Sequence, residues 1–370
     1  MIFIFLGFLF RIILQIYNIE IAWLPGGEAD AGWFHREAVE YSKYIAQKEF
    51  FPDITWTYKI GLNYAVLLGY LLNFFGTESH YFTGFLSCFV WFLSAIVFRN
   101  IMFKLKFEKR NINYAILFYT FLFPSSAIFT ALTLREVYML LFFNVFTLSL
   151  INIYYEKEIK KIFFNIIFIL IASFLLVTFH KGNGYLLIIL FPLLIIYKFI
   201  NKFNISKFTL IALVILIVSF LSYHGYTELL FDDIKDYQMG HFYPTEDRAA
   251  YYSRNEINTM QYDIITLIMY IGKNLYHYLL SPTIFQVSNI KDIAVFCENT
   301  IRLLLIFFSL KKVTLQFDKK NIFIILLTIF LIMETIYAQG TVNWGTATRH
   351  HVPVMGILIL LSFFPTRKTK

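Results

Sequence analysis

The chain has 370 residues, of which 58% are apolar and 20% aromatic, while only 15% are charged. A water-soluble domain carries about a quarter of its residues as Asp, Glu, Lys and Arg. This composition therefore excludes soluble enzymes, secreted disulfide scaffolds and disordered regulators, and requires a surface that meets lipid. The formal charge of +8 does not point to nucleic acid, because the basic residues fall in short clusters between apolar runs, the pattern of a positive-inside membrane protein.

Crossing a hydrocarbon core about 30 Å thick takes about 20 helical residues. Ten segments meet or approach that length: 2–17, 80–103, 112–130, 135–154, 162–179, 183–200, 207–224, 295–310, 321–338 and 350–364. The first lacks a basic leading region and is interrupted by Arg11, so it reads as a retained span rather than a cleavable signal. Three further stretches are helical by periodicity but carry polar stripes that lipid would not tolerate. In 30–47, Phe34, Ala38, Tyr41 and Ile45 share one face, with Arg36, Glu40, Lys43 and Gln47 on another. In 58–75, Lys59, Asn63, Tyr70 and Asn73 align, and in 262–280 Asp263, Thr266, Tyr270, Lys273 and His277 do. These read as interfacial or re-entrant helices. The expected fold is an all-α polytopic membrane protein, a single integral membrane domain over 1–370, with about ten transmembrane helices and three interfacial helices.

The charges give the expected orientation. With those three helices left out of the count, five clusters fall on one side: Arg99 to Arg110, Lys157 to Lys161, Lys198 to Lys207, Lys311 to Lys320 and Arg367 to Lys370. They hold more than half of the 32 basic residues. That side is the cytoplasm, with both termini in it, and the location is a bacterial inner membrane. The opposite, periplasmic face receives two long loops, 18–79 and 225–294. Cys88 and Cys297 lie far apart with no metal-ligand spacing, and indicate neither a disulfide framework nor a metal site.

Candidate chemistry gathers on the loop-rich face. Glu28 and Asp30 open the first external helix, where the helix dipole favours ionised carboxylates. Asp30 reads either as an N-cap or as a general base for a hydroxyl proton, with its position fixed by the cap. Basic residues recur at outer span ends: Arg135 beside Glu136, His180 with Lys181, and Arg349 before His350 and His351. Each can snorkel to headgroups, but three on one face also suit a shared phosphate or pyrophosphate. The run TEDRAAYYSRNE brings Arg248, Tyr251 and Arg254 together, either for a glycan or as a loop salt-bridge network at the aromatic belt. Glu334, near the outer end of its span, is expected to pair with one of the basic residues. No Walker, dinucleotide, HExxH or nucleophile-elbow motif occurs, and the adjacent His350 and His351 do not share a helix face as zinc ligands would.

In order along the chain stand a short first span, GGEADAGWFHREA, interfacial helices ending NFFG, a TLREVY turn, and NWGTATRHHVP before the last span. This layout resembles the membrane glycosyltransferases of the C-type architecture (GT-C), and among them the O-antigen polymerases of bacterial surface-polysaccharide loci. The resemblance implies a donor glycan on a polyprenyl phosphate or pyrophosphate and an acceptor supported by Asp30, with Glu28 as the second choice. It implies a phosphate held by Arg135, Lys181 and Arg349, with His180 or His350 assisting. Glu28 and Asp30 also match a Glu-any-Asp spacing that binds a divalent metal in many such enzymes, although polymerases need none. The expected activity is polymerisation of lipid-linked repeat units, with membrane lipid and a chain-length regulator as partners. A GT-C enzyme adding one sugar from a polyprenyl-phosphate donor and a lipid-linked glycan flippase are the alternatives.

Overall fold

The structure is a computed structural model that describes residues 1–47, 61–180, 182–184, 232, 234–236, 264–315, 317 and 319–366. Its regular elements are helices: α1 (Ile2–Glu20), a π-helical turn (Gly27–Ala31), α2 (Gly32–Gln47), α3 (Gly61–Phe75), α4 (His80–Lys104), α5 (Lys109–Phe121), α6 (Pro124–Phe129), α7 (Glu136–Tyr155), α8 (Ile159–Phe179), α9 (Ile264–Leu280), α10 (Ile290–Lys311), α11 (Lys320–Gln339), α12 (Trp344–His350) and α13 (Met355–Ser362). Among the described residues six helices are long and apolar enough to cross a membrane: α1, α4, α7, α8, α10 with the turn that follows it, and α11. The chain divides into two compact units. Unit 1 comprises Met1–Gly184, Leu304–Phe330 and His351–Lys370, and unit 2 comprises Tyr185–Leu303 and Leu331–His350.

All six long helices coincide with expected spans, because a run of about 20 apolar residues has no stable alternative to a helix in lipid. The segment 112–130 differs. It is not one span but two helices, α5 and α6, separated at Leu122 and Phe123. Pro124 opens α6 and Phe123 before it is extended at φ −113° and ψ 103°. Proline has no N–H to continue the ladder, and its ring excludes the preceding residue from helical geometry. The last expected span, 350–364, is likewise short, with a 3-10 turn at Val352–Val354 followed by the eight residues of α13. The three stretches with polar stripes form α2, α3 and α9. The expected spans at 183–200 and 207–224 lie, apart from residues 183 and 184, outside the described residues.

In unit 1, α4 lies between α1 and α7, α8 covers α7, and the α2–α3 hairpin packs against α8 through α3. The α1–α4 contact is close because Gly84 has no side chain: a Cβ there would collide with the amide of Gln15. Arg11, in the middle of α1, is fully buried. Its guanidinium lies 3.5 Å over the Trp91 ring. It donates to Thr130 Oγ1 (2.7 Å), Gly7 O (3.1 Å) and Thr120 O (3.4 Å). Arg11 thus joins the last turn of α5 to the residue that closes α6. A second buried polar group, deeper in the bundle, links α4, α5 and α7: Ser94 and Tyr119 hydroxyls lie 2.7 Å apart, and Asn144 Nδ2 donates to both (2.9 and 3.0 Å).

Candidate functional site at one end of unit 1

The C-terminus of α1 and α8 and the N-terminus of α4 and α7 meet at one end of unit 1, where α2 and its preceding turn also lie. The chain leaves α1 through Asn18, whose Oδ1 accepts the Leu24 N–H at 2.9 Å. Gly26 then adopts a left-handed φ of 78°, a conformation for which glycine has no steric cost. A Cβ on Gly26 would touch the Phe129 ring at 3.4 Å, which sets this turn beside the end of α6. Ala31 N–H donates to Gly26 O (2.9 Å) and Gly32 N–H to Gly27 O, both five residues back. This wide turn runs directly into α2, so Asp30 is inside a π-helical turn and not an N-cap as expected. Both carboxylates remain in the first helical turn, where the dipole favours negative charge; Glu28 is exposed and Asp30 half-buried.

Three hydroxyl and imidazole groups tie α2 to the TLRE turn. Thr83, one turn into α4, is buried and its Oγ1 lies 3.2 Å from His35 Nδ1 on α2. Thr133 donates to the same oxygen at 3.1 Å. The His35 ring stacks on His80 with centroids 4.4 Å apart and planes at 14°. Burial first, then the neighbouring His80 and Arg36, lower the His35 pKa to about 4, so its imidazole is neutral at physiological pH.

Two residues after Thr133, Arg135 begins α7. Its Nη1 donates to Phe179 O at 3.1 Å and its Nε lies 3.7 Å from the carboxylate of buried Glu136. Arg135 therefore fastens the start of α7 to the end of α8, and its charge is already shared with an acid. The next residue after Phe179, His180, is buried and accepts the Gly182 N–H on Nδ1 at 3.1 Å. The structure thus brings Glu28, Asp30, Arg135 and His180 to one end of unit 1, and adds His35, Thr83 and Thr133, which reasoning on the sequence left out. Spacing alone gives no signal for them, since their contact joins residues 48 and 50 positions apart. Lys181, Arg248, Tyr251 and Arg254 lie outside the described residues.

In unit 2 the NWGTATRHH segment is clamped at both ends. Trp344 Nε1 donates to Asp292 Oδ1 at 2.9 Å, and Asp292 Oδ2 accepts the N–H and hydroxyl of Ser288 (3.1 and 2.8 Å). Asn343 Oδ1 caps α12 by accepting the Thr346 N–H at 2.9 Å. At the far end His350 Nδ1 lies 2.8 Å from Thr341 Oγ1, and its ring packs on Tyr337. His350 is thereby buried, while Arg349 on the same short helix is half-buried. Glu334 is buried in α11, and α10 buries Glu298 and Arg302. Those last two were also left out of the sequence reading. Their signal is present, because two ionisable residues four apart in an apolar run share one helix face.

Among the described residues no group of three or more His, Cys, Asp or Glu side chains gathers where a metal ion could be held. Cys88 is buried and Cys297 exposed, both as free thiols. No protein-family model, no curated protein and no solved structure matches the chain.

Proposed function

We propose that this membrane protein is a glycosyltransferase that polymerises polyprenyl-pyrophosphate-linked repeat units at the periplasmic face of a bacterial inner membrane. The observation that carries this reading is the gathering of the Glu28–Asp30 turn, the TLRE turn and His180 at one end of unit 1. At the opposite ends of the same helices stand Lys104 and Lys157, with Lys160 and Lys161 in the first turn of α8. The positive-inside rule then assigns the lysine end to the cytoplasm and the carboxylate end to the periplasm.

In the proposed reaction an acceptor sugar hydroxyl attacks the anomeric carbon of the donor glycan. The bond from that carbon to the pyrophosphate oxygen breaks, and its electron pair leaves with the polyprenyl pyrophosphate. Asp30, in the first helical turn, takes the hydroxyl proton. Arg135, at the same end of unit 1, is proposed to bind phosphate through its guanidinium, in the electrostatic role that gives the largest single contribution in group transfer.

A gel profile of surface polysaccharide tests this in a deletion strain complemented with wild type, Asp30→Asn or Arg135→Ala. Wild type is expected to restore a ladder of repeats. Each variant is expected to lower ladder formation by about 10²-fold or more while the chain still accumulates in the membrane. Normal ladders from Arg135→Ala would remove that residue from the mechanism, and a single added mass increment from wild type would make the enzyme a single-sugar transferase. A second reading, a flippase for the same lipid-linked glycan, is favoured by Glu298, Arg302 and Glu334, buried within apolar helices where ionisable groups are costly and commonly mark a transport path. Movement of the glycan lipid across vesicles without bond formation would establish it.

A further inference from the structure

The carboxylate end of unit 1 holds a group that the proposed reaction has not used. Thr83 has a single hydroxyl proton, which it donates to the His80 carbonyl at 3.1 Å. Its oxygen is left to accept, from the Thr133 hydroxyl at 3.1 Å and from His35 at 3.2 Å. This arrangement places the ring proton of His35 on Nδ1 and leaves the lone pair on Nε2, because in a neutral imidazole one nitrogen donates and the other accepts. The stack on His80 fixes the plane of the ring, and Trp23, 51% exposed, lies with its ring centroid 6.3 Å from that of His80. An exposed indole thus lies beside the His80–His35 stack, His35 Nε2 is the acceptor of that stack, and Glu28 stands in the turn that leads into the helix bearing His35. Acceptors and an aromatic face together suit a ligand that presents hydroxyl donors on an apolar ring, which is the chemistry of a sugar.

We propose that His35 is a binding residue for the acceptor glycan, its Nε2 accepting a hydrogen bond from a sugar hydroxyl, with Thr83 and Thr133 as the positioning residues that hold the imidazole in that tautomer. This inference rests on the glycosyltransferase reading and extends it to the recognition of the acceptor. Low basicity suits the role: a histidine that protonated near neutrality would turn its acceptor into a donor. Burial first, and then the neighbouring His80 on α4 and Arg36 on α2, keep it in the accepting form.

The test uses the purified full chain and, as its probe, the lipid-linked repeat unit extracted from the deletion strain. His35→Phe keeps a ring for the stack but has no acceptor, and is expected to raise KM for that lipid about tenfold, the loss of one neutral hydrogen bond, with kcat within about twofold. His35→Gln, whose Oε1 can stand in place of Nε2, is expected to stay near wild type. Thr83→Val keeps His35 but removes the oxygen that orients it, and is expected to raise KM in the same direction, with Thr83→Ser restoring it. The Thr83 pair keeps the test decisive should His35→Phe fail to accumulate. An unchanged KM in His35→Phe and Thr83→Val, or a Gln variant as impaired as Phe, overturns the role of His35 while polymerisation by wild type leaves the enzyme reading intact. If wild type makes no polymer from the extract, the enzyme reading fails and this inference with it.

Discussion

Two guanidinium groups show how this protein houses charge in an apolar body. Arg11 is held by a hydroxyl, two carbonyls and the Trp91 face, and Arg135 by a carbonyl and the Glu136 carboxylate. In both, the charge is used to join helices, since an arginine that satisfies free backbone carbonyls removes two unpaired polar groups at once. His35 illustrates the opposite solution, a titratable group kept neutral. Its folded pKa of about 4 lies below the usual 6.5, so between those values the unfolded chain binds a proton that the folded chain does not. Stability therefore falls as pH drops through that window and is unaffected by His35 above it. Acid unfolding in detergent, followed by intrinsic fluorescence, is expected to show a shallower loss from pH 6.5 to 4 in His35→Gln than in wild type; identical slopes would mean that His35 is freely protonated in the fold.

Helices in this chain are joined by short polar devices at their ends as much as by their apolar faces. The break between α5 and α6 follows from Pro124, and Arg11 and Thr130 accept its consequence by bonding the carbonyls near it. In unit 2, Asp292 takes three hydrogen bonds, one from Trp344 and two from Ser288, and so ties the start of α10 to the helix that bears Arg349. Removing a buried acceptor leaves its donors unsatisfied at about 1–3 kcal/mol each. Asp292→Ala is therefore expected to lower the melting temperature in detergent by several degrees. Asp292→Asn, which retains an oxygen for Trp344 and cannot accept both Ser288 bonds, is expected to fall between. Equal melting temperatures for all three would show that the clamp does not contribute to stability.

At the scale of the molecule, unit 1 is electrically polar along its helix axes. Glu20, Glu28, Asp30 and Glu136 stand at one end, and Lys104, Lys109, Lys157, Lys160 and Lys161 at the other. Such a distribution in a membrane fixes orientation, because basic segments are retained on the cytoplasmic side during insertion. In a Cys297→Ala background, with Cys88 buried and unreactive, Glu28→Cys is expected to react with a membrane-impermeant maleimide on intact spheroplasts. Lys157→Cys is expected to react only after permeabilisation, and the reverse pattern would invert the orientation and remove the proposed periplasmic site.

Apolar length and polar stripes in the sequence determined the membrane class, the six long helices and the positions of α2, α3 and α9, because these depend on local composition and on the demand that each backbone group in lipid be bonded within its own helix. The same reading located Glu28, Asp30, Arg135, His180 and Arg349 near helix ends, since charge beside an apolar run is visible in one dimension. What those residues touch was decided by tertiary structure. Arg135 faces Glu136 and the α8 terminus, His350 bonds Thr341, and Asp30 belongs to a π-helical turn entered through the left-handed Gly26 beside Phe129. The His35–Thr83–Thr133 contact was illegible for the same physical reason: its members come from three segments, each ordinary by itself, and distance in space between such segments is set by how the helices pack rather than by any pattern along the chain.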